Sequence, residues 1–271
     1  ARCKQLFTRE FFAARAGWGA SAAAPVFVIG LPRTGSTLVE QILASHSDVE
    51  GTMELTQIAD IARSLAARGA AGQVRYPEVL ASLTQDEART LGERYLERTR
   101  VQRKRGARHF IDKMPNNFAH IALIRLILPN AIVIDVRRHP LACGLSLFKH
   151  LFAHGQHFSY SLEDIGRYYR DYVELMRHFD AVLPGYVHRV TYESLVEDTD
   201  AEVRRLLEYC GLPFEGSCLR FFDNRRAVNT ASSEQVRTPI FHNALDHWRH
   251  YEPWLDPLRE QVAPSLSSDP E

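Results

Sequence analysis

An apolar run that ends in a glycine-rich turn constrains the fold of this chain more than any other feature. Residues 25–29 (PVFVI) are continuous, rich in β-branched and aromatic side chains, and closed by Gly30. Such a run is typical of a strand that is buried on both faces. Leu38, Ile42 and Leu43 then recur at helical spacing after a polar first turn. The order strand, Gly-rich turn, helix predicts an α/β fold.

Strand and helix patterns continue to alternate along the chain, without an internal repeat. Further strands are predicted at 109–111, 131–134 and 187–190, and helices at 85–105, 120–128, 141–152, 162–179 and 199–209. Thr199 and Glu202 have the spacing of a capping box, and residues 66–78 have the composition of a surface connection. Alternation of this kind predicts one α/β domain with a central parallel sheet flanked by helices.

Composition excludes several classes of protein. The chain has 271 residues, enough for one large domain, and its 33 basic residues cancel its 33 acidic ones. A balanced charge offers no field that would recruit nucleic acid, so any anion must be bound locally. The four scattered cysteines predict reduced thiols in a cytoplasmic protein. The longest apolar stretch, residues 20–31, is too short for a transmembrane segment.

The turn at residues 30–37 (GLPRTGST) is the best candidate for an anion site. Its backbone N–H groups and the positive end of the following helix dipole converge on one point, as phosphate binding requires. The glycine spacing fits a Walker A loop, but Ser36 stands where a P-loop NTPase has lysine. This favours a single phosphate or phosphosulfate over a magnesium triphosphate. A nucleotide kinase or NTPase remains an alternative, with Asp135 as a residue of Walker B type.

Two sequence blocks resemble one known family. PVFVIGLPRTGSTLVEQILASH (25–46) is similar to the 5′-phosphosulfate loop of sulfotransferases that use 3′-phosphoadenosine 5′-phosphosulfate (PAPS), and VIDVRRHP (133–140) followed by Ser146 resembles their 3′-phosphate site. The resemblance is strongest to bacterial sulfotransferases associated with tetratricopeptide repeats, which are themselves similar to tyrosylprotein sulfotransferases. It implies the P-loop-containing nucleotide hydrolase-like sulfotransferase fold, with a catalytic domain at 25–271 and an N-terminal stub at 1–24.

The resemblance also assigns the phosphate-binding residues. The predicted 5′-phosphosulfate ligands are Arg33, Thr34, Gly35, Ser36 and Thr37. Of Arg137 and Arg138, one is expected to be a solvated strand end, and the spacing to Ser146 selects Arg138 as the ligand of the 3′-phosphate. Tyr192, after the last strand, is a further cofactor contact or a packing residue. Arg237, in a segment (230–239) similar to one that folds over the nucleotide, completes the set.

Two residues are expected to carry the chemistry together with Arg33. Glu54, twenty-one residues after Arg33, falls where the tyrosylprotein branch has its catalytic base, with Glu50 and Asp48 as nearby alternatives. Lys113, twenty-five residues before Arg138, matches the family lysine that contacts the transferring group. Met114 and Pro115 follow this lysine, whereas the small-molecule branch has its catalytic histidine shortly after it.

The resemblance implies PAPS as co-substrate, PAP as product, a hydroxyl-bearing acceptor and no metal. His150, His154 and His157 have near-helical spacing but lack the Cys or carboxylate that would complete a metal site. The acceptor could be a peptide tyrosine, a sugar or a small molecule, and a homodimer is left open. A non-catalytic nucleotide-binding module is the third hypothesis, beside the sulfotransferase and the kinase.

Overall fold

Five parallel strands form the centre of the fold. The computed structural model describes residues 2–21, 25–70, 75–153, 155–228, 230, 233–240 and 245–266. The strands are β1 (Pro25–Gly30), β2 (Val49–Gly51), β3 (His109–Lys113), β4 (Ile132–Arg137) and β5 (Val187–Thr191), in the order β2-β3-β1-β4-β5. The predicted parallel α/β sheet is confirmed.

Helices cover both faces of the sheet. They are α1 (Arg2–Leu6), α2 (Arg9–Ala13), α3 (Ser36–Leu43), α4 (Gln57–Ala70), α5 (Gln85–Thr99), α6 (Ile121–Ile127), α7 (Pro140–Phe148), α8 (Leu162–Val182), α9 (Tyr192–Glu197), α10 (Thr199–Tyr209) and α11 (Asp256–Leu266). Phe27 and Ile29 of β1 pack into one hydrophobic cluster with α6 and α8, and Val26 and Val28 pack into another with α3 and α10. Burial on both faces explains the unbroken apolar run of β1.

The sheet register brings the predicted site residues to one edge. Val28 of β1 is in register with Lys113 of β3, and Gly30 with Val136 of β4. The turn after β1, the end of β3 and the end of β4 therefore lie side by side. In open parallel sheets this carboxyl edge is where ligands bind.

Several element boundaries differ from the sequence prediction. The connection expected at 66–78 is helical through Ala70. The helix expected to be capped by Thr199 has Asp198 as its N-cap, because the Asp198 carboxylate accepts the N–H of Ala201 at 3.1 Å. Glu202 contacts Arg205 instead of closing a capping box. The strand β2 was not predicted, since three residues carry too little periodicity to detect.

The N-terminal residues pack into the main core. Phe7, Phe11 and Phe12 are buried, and the Phe7 ring stacks on Phe179 of α8 with centroids 6.3 Å apart. Residues 2–13 thus share a hydrophobic cluster with the sheet, while the domain boundary after residue 24 stays a prediction. Within the described ranges, no helix has the length and apolar character needed to cross a membrane.

Candidate active site

The turn between β1 and α3 has the conformation of an anion-binding loop. Arg33 has φ +70° and Gly35, the N-cap of α3, has φ +99°. The Thr34 hydroxyl donates to the carbonyl of Leu31 at 2.9 Å, and the carbonyl of Gly35 accepts the N–H of Leu38 at 2.9 Å. These bonds close the turn, so that the first N–H groups of α3 lie at the sheet edge, where a helix N-terminus favours negative charge.

Tyr192 packs directly on this turn. A Cβ at Gly35 would lie 2.6 Å from Cδ2 of the Tyr192 ring, so only glycine permits the contact. The Arg138 guanidinium lies over the same ring, 4.8 Å from its centroid. Burial raises the pKa of Tyr192, while the Arg138 charge opposes that shift. Tyr192 therefore connects the first sequence block to the second.

Arg33 and Ser146 join the two blocks by a hydrogen bond. Nε of Arg33 donates to the Ser146 hydroxyl at 3.1 Å, across 113 residues of sequence. Burial, and after it the positive charge of Arg138, lower the pKa of Arg33. An anion bound beside these two guanidinium groups would relieve the repulsion between them. The two blocks thus meet in one electropositive place.

Arg137 is not a solvated strand end, which corrects the expectation for one of the two arginines. Its side chain is 5% exposed, and its Nε lies 2.8 Å from Oδ2 of Asp135. The Tyr172 hydroxyl donates to the other oxygen of Asp135. Burial alone would lower the pKa of Arg137, but the Asp135 charge more than offsets it and the net shift is upward. Asp135, the Walker B residue of the kinase alternative, is therefore engaged in a buried structural network.

A cleft of about 900 Å³ opens in front of the turn and contains most of the predicted cofactor ligands. Its lining includes Arg33, Gly35, Thr37, Arg138, Ser146, Tyr192, Lys149, His150, Gln235, Thr238, His247 and Trp248. Thr34 and Ser36 are buried within the loop, 1% and 5% exposed, and do not line the cleft. Lys149 and Trp248 were not predicted as cleft residues. The Trp248 ring stacks on His139 with centroids 4.7 Å apart.

Glu54 and Lys113 form an ion pair beside this cleft. Oε1 of Glu54 lies 2.6 Å from Nζ of Lys113, and their side chains are 47% and 2% exposed, respectively. A buried ammonium is thus paired with a carboxylate that an acceptor could reach. Of the two alternative bases, Glu50 is buried and accepts the backbone N–H groups of residues 104 and 105. Its carboxylate therefore stabilises a turn.

The Glu54–Lys113 pair lines a smaller cavity of about 50 Å³. It is lined by Glu40, Thr52, Met53, Glu54, Lys113, Arg226, Ala227, Val228 and Thr230. The ion pair between Glu40 and Arg226 was not predicted, because no local pattern links residues 186 positions apart.

Arg237 holds a loop instead of lining the cleft. Its Nη1 donates to the carbonyl of Asn224 and its Nη2 to that of Arg226, both at 2.5 Å. In the segment 230–239, which contains Arg237, the Thr230 hydroxyl lies 3.3 Å from that of Thr37, so this segment contacts the first turn of α3. Its residues 231 and 232 lie outside the described part of the chain, and the role of Arg237 as a nucleotide ligand stays a prediction.

Of the three histidines singled out in the sequence, His150 and His157 lie within the described residues. His150 contacts the ring of Phe152, with ring centroids 4.6 Å apart, and lines the cleft of about 900 Å³, whereas His154 is outside the described residues. Among the residues that the structure describes, no three His, Cys, Asp or Glu side chains are grouped to hold a metal ion.

A parallel five-stranded sheet with an anion-binding turn after its central strand defines a P-loop-like α/β protein. Residues 25–216 match the sulfotransferase family. The chain therefore belongs to the sulfotransferase family, and it has the fold of that family.

Other proteins are similar to this chain in sequence or in fold. An uncharacterised protein of Aquifex aeolicus (strain VF5) is 34% identical over 266 residues, which is 96% of this chain and 35% of the relative, so the chain spans about a third of that protein. The sulfotransferase domain of the Synechococcus PCC 7002 olefin synthase has a TM-score of 0.63 at 20% identity, covering 94% of this chain and 98% of that domain. A mouse sulfotransferase complexed with PAP has a TM-score of 0.56 at 11% identity, covering 98% and 92%.

Proposed function

We propose that this protein transfers the sulfuryl group of PAPS to a hydroxyl acceptor, with Glu54 as the general base. The observation that carries the proposal is the ion pair of Glu54 and Lys113, which stands at the sheet edge next to the phosphate turn. Sulfuryl transfer needs a base at the acceptor oxygen and cations at the leaving phosphate. The pair supplies one of each.

The cleft has the size and charge that PAPS requires. Its volume of about 900 Å³ lies within the range of pockets that hold ligands of nucleotide size. Arg33 and Arg138 lie close enough for the charge of Arg138 to lower the pKa of Arg33, which favours an anion at that position. Arg33, the N–H groups of the turn and Thr37 would hold the 5′-phosphosulfate, and Arg138 and Ser146 the 3′-phosphate. The aromatic side chain of Trp248 lines the same cleft.

In PAPS the sulfuryl group is bonded to an oxygen of the 5′-phosphate, and this phosphate is the leaving group. In the proposed reaction the Glu54 carboxylate takes the proton of the acceptor hydroxyl. The acceptor oxygen forms the new bond to sulfur, while the bond between sulfur and the bridging phosphate oxygen breaks and its electron pair leaves with PAP. Lys113 and Arg33 neutralise the charge that builds on this phosphate. The turn holds the donor in line with the acceptor.

Finer assignments follow from the sequence resemblance. We infer that the protein stands near the branch associated with tetratricopeptide repeats and the tyrosylprotein sulfotransferases, because Glu54 is suited to be the base and Met114 and Pro115 follow Lys113. The four cysteines are not paired with one another, which supports a cytoplasmic location. A peptide tyrosine, a sugar or a small molecule remain candidate acceptors.

The base can be tested with two phenols of different acidity. We expect Glu54→Gln to lower kcat by about 10²- to 10⁴-fold with a phenol that is neutral at the assay pH. The loss should be much smaller with p-nitrophenol, which is largely ionised at mildly alkaline pH and needs no base. PAP affinity, measured by calorimetry, should stay unchanged.

Asp48→Asn provides the matched control, because Asp48 is an exposed carboxylate only six residues away and the remaining alternative base. Its kcat should equal that of the wild type with both phenols. Equal losses for both phenols in Glu54→Gln, or a large loss in Asp48→Asn, would contradict the assignment of Glu54.

A further inference from the structure

Arg226 and Glu40 line the small catalytic cavity, yet the proposed transfer gives them no step. Nη2 of Arg226 lies 2.9 Å from Oε1 of Glu40, and the two side chains are 16% and 3% exposed. Burying an ion pair costs desolvation free energy that only good geometry and further hydrogen bonds offset. Because stability alone does not explain a buried ion pair in the candidate active site, we looked for a role that depends on the geometry of the pair.

The Arg226 guanidinium bridges two elements that carry different parts of the site. Its Nε donates to Oε1 of Gln41 at 2.8 Å, so that with Glu40 it holds two consecutive residues of the phosphate-loop helix α3. Its Nη1 donates to the carbonyl of Thr52 at 3.3 Å, two residues before Glu54. The planar fork of arginine can make these contacts together, whereas a single ammonium group cannot.

Thr52 is held from a second side as well. Its hydroxyl donates to the carbonyl of Ile111 at 2.5 Å, in the strand that ends at Lys113. The backbone just before Glu54 is thereby tied to the lysine strand through the Thr52 hydroxyl and to α3 through Arg226. These two contacts fix the position from which the Glu54 side chain extends.

Gly51 makes the approach of Arg226 feasible. A Cβ at this position would lie 2.8 Å from Nη1 of Arg226 and 2.9 Å from Cβ of Ala44. Any larger residue would force the guanidinium or the chain before Thr52 to move. A substitution at Gly51 can therefore displace Arg226 without altering its chemistry.

We propose that Arg226 is a positioning residue that sets Glu54 for proton abstraction, with Glu40 as its buried counter-ion. The proposal rests on the proposed function, since it concerns the base of that reaction. Arg226 acts on the backbone before Glu54 and need not touch the acceptor. Its loss should therefore reduce turnover while leaving nucleotide binding in the large cleft intact.

The main test is Arg226→Lys, which keeps a positive charge beside Glu40 but lacks the planar guanidinium that contacts Glu40, Gln41 and Thr52 together. We expect kcat with a phenol that is neutral at the assay pH to fall about ten- to hundredfold, as for a small misplacement of a catalytic group. KM for PAPS and the Kd of PAP should change less than twofold. Arg225→Lys is the matched control, because Arg225 is adjacent and exposed, and it should leave kcat unchanged.

A second pair of measurements separates positioning from a general structural effect. In a Glu54→Gln background, Arg226→Lys should cost less than twofold in kcat, because the group that it positions is gone. Gly51→Ala, which displaces Arg226, should reproduce the kcat loss while PAP still binds. Wild-type turnover in Arg226→Lys or Gly51→Ala, or an undiminished loss in the Glu54→Gln background, would overturn the proposal.

Failure of the proposed function gives a different result. If the wild type transfers no sulfuryl group from PAPS to a phenol, a tyrosine-containing peptide, a sugar or an aliphatic alcohol, the reaction itself is wrong, and the role of Arg226 falls with it. If the wild type transfers it and Arg226→Lys equals Arg225→Lys, only the positioning role is wrong.

Discussion

At the scale of single residues, two consecutive residues of β3, Asp112 and Lys113, have different roles. Lys113 faces the small cavity and pairs with Glu54, whereas Asp112 is buried and accepts a hydrogen bond from the Tyr95 hydroxyl at 2.8 Å. Successive side chains of a strand point to opposite faces, which explains why one residue serves the site and the next the core.

Removal of the Lys113 ammonium should reduce catalysis strongly. Because this cation is expected to neutralise charge on the leaving phosphate, Lys113→Ala should lower kcat about 10²- to 10³-fold. Lys104→Ala, whose side chain is exposed, should retain full turnover in the same steady-state assay. Full turnover of Lys113→Ala would remove the lysine from the mechanism.

Asp112 should give the protein a pH-dependent stability. Burial raises the pKa of Asp112 to about 7 from its ordinary value of 3.8. The folded state therefore binds this proton more tightly than the unfolded state, and the contribution to stability is full below about pH 4 and is lost as pH rises to about 7. In chemical denaturation between pH 4 and 8, Asp112→Asn should become progressively more stable relative to the wild type. A constant difference between the two would show that Asp112 does not titrate in this range.

At the scale of elements, the turn between β1 and α3 depends on Gly35. Alanine there would combine a positive φ with a Cβ only 2.6 Å from the Tyr192 ring. We expect Gly35→Ala to weaken PAP binding at least about tenfold, since backbone strain alone costs roughly 1–2 kcal/mol. Gly106→Ala is the control, because Gly106 also has a positive φ (+65°) but a Cβ there would meet no described atom within 4 Å. Equal PAP affinities by calorimetry would show that the Tyr192 contact is unimportant.

The elements that have strong local patterns could be predicted from the sequence. β1, β4 and α8 have long apolar runs or stripes, and the loop glycines follow β1 directly, so local pattern alone locates these elements and the first phosphate block. β2 was missed because it has three residues, and Asp198 because the competing Thr199 has the same capping chemistry. The burial of Arg137 depends on Tyr172 from α8, which no local pattern reveals.

At the scale of the whole molecule, distant segments complete the core and the site. The ion pair of Glu40 and Arg226 and the hydrogen bond between Arg33 and Ser146 both join segments that are distant in the sequence. The family resemblance suggested that Arg33 and Ser146 belong to one site. No sequence signal indicated that Glu40 and Arg226 would pair. The balanced net charge likewise hides a local concentration of cations around the cleft.

The N-terminal residues should contribute to global stability. Phe7 is 2% exposed within the main hydrophobic cluster, so Phe7→Ala should lower the free energy of unfolding by about 3–5 kcal/mol. Phe214→Ala, at a position that is 39% exposed, should lower it by less than about 1 kcal/mol. Denaturant unfolding measures both, and equal small effects would mean that residues 2–13 are an appendage that the fold does not need.

The most direct test of the central claim follows both products of the reaction. The purified protein is incubated with PAPS that carries radiolabelled sulfur, together with p-nitrophenol, a tyrosine-containing peptide or an aliphatic alcohol. We expect sulfated acceptor and PAP to form in a one-to-one ratio without added metal, and Glu54→Gln to lower the rate about 10²- to 10⁴-fold with any accepted substrate whose hydroxyl is neutral at the assay pH. Absence of PAPS and PAP binding, with hydrolysis of magnesium ATP in its place, would contradict this expectation.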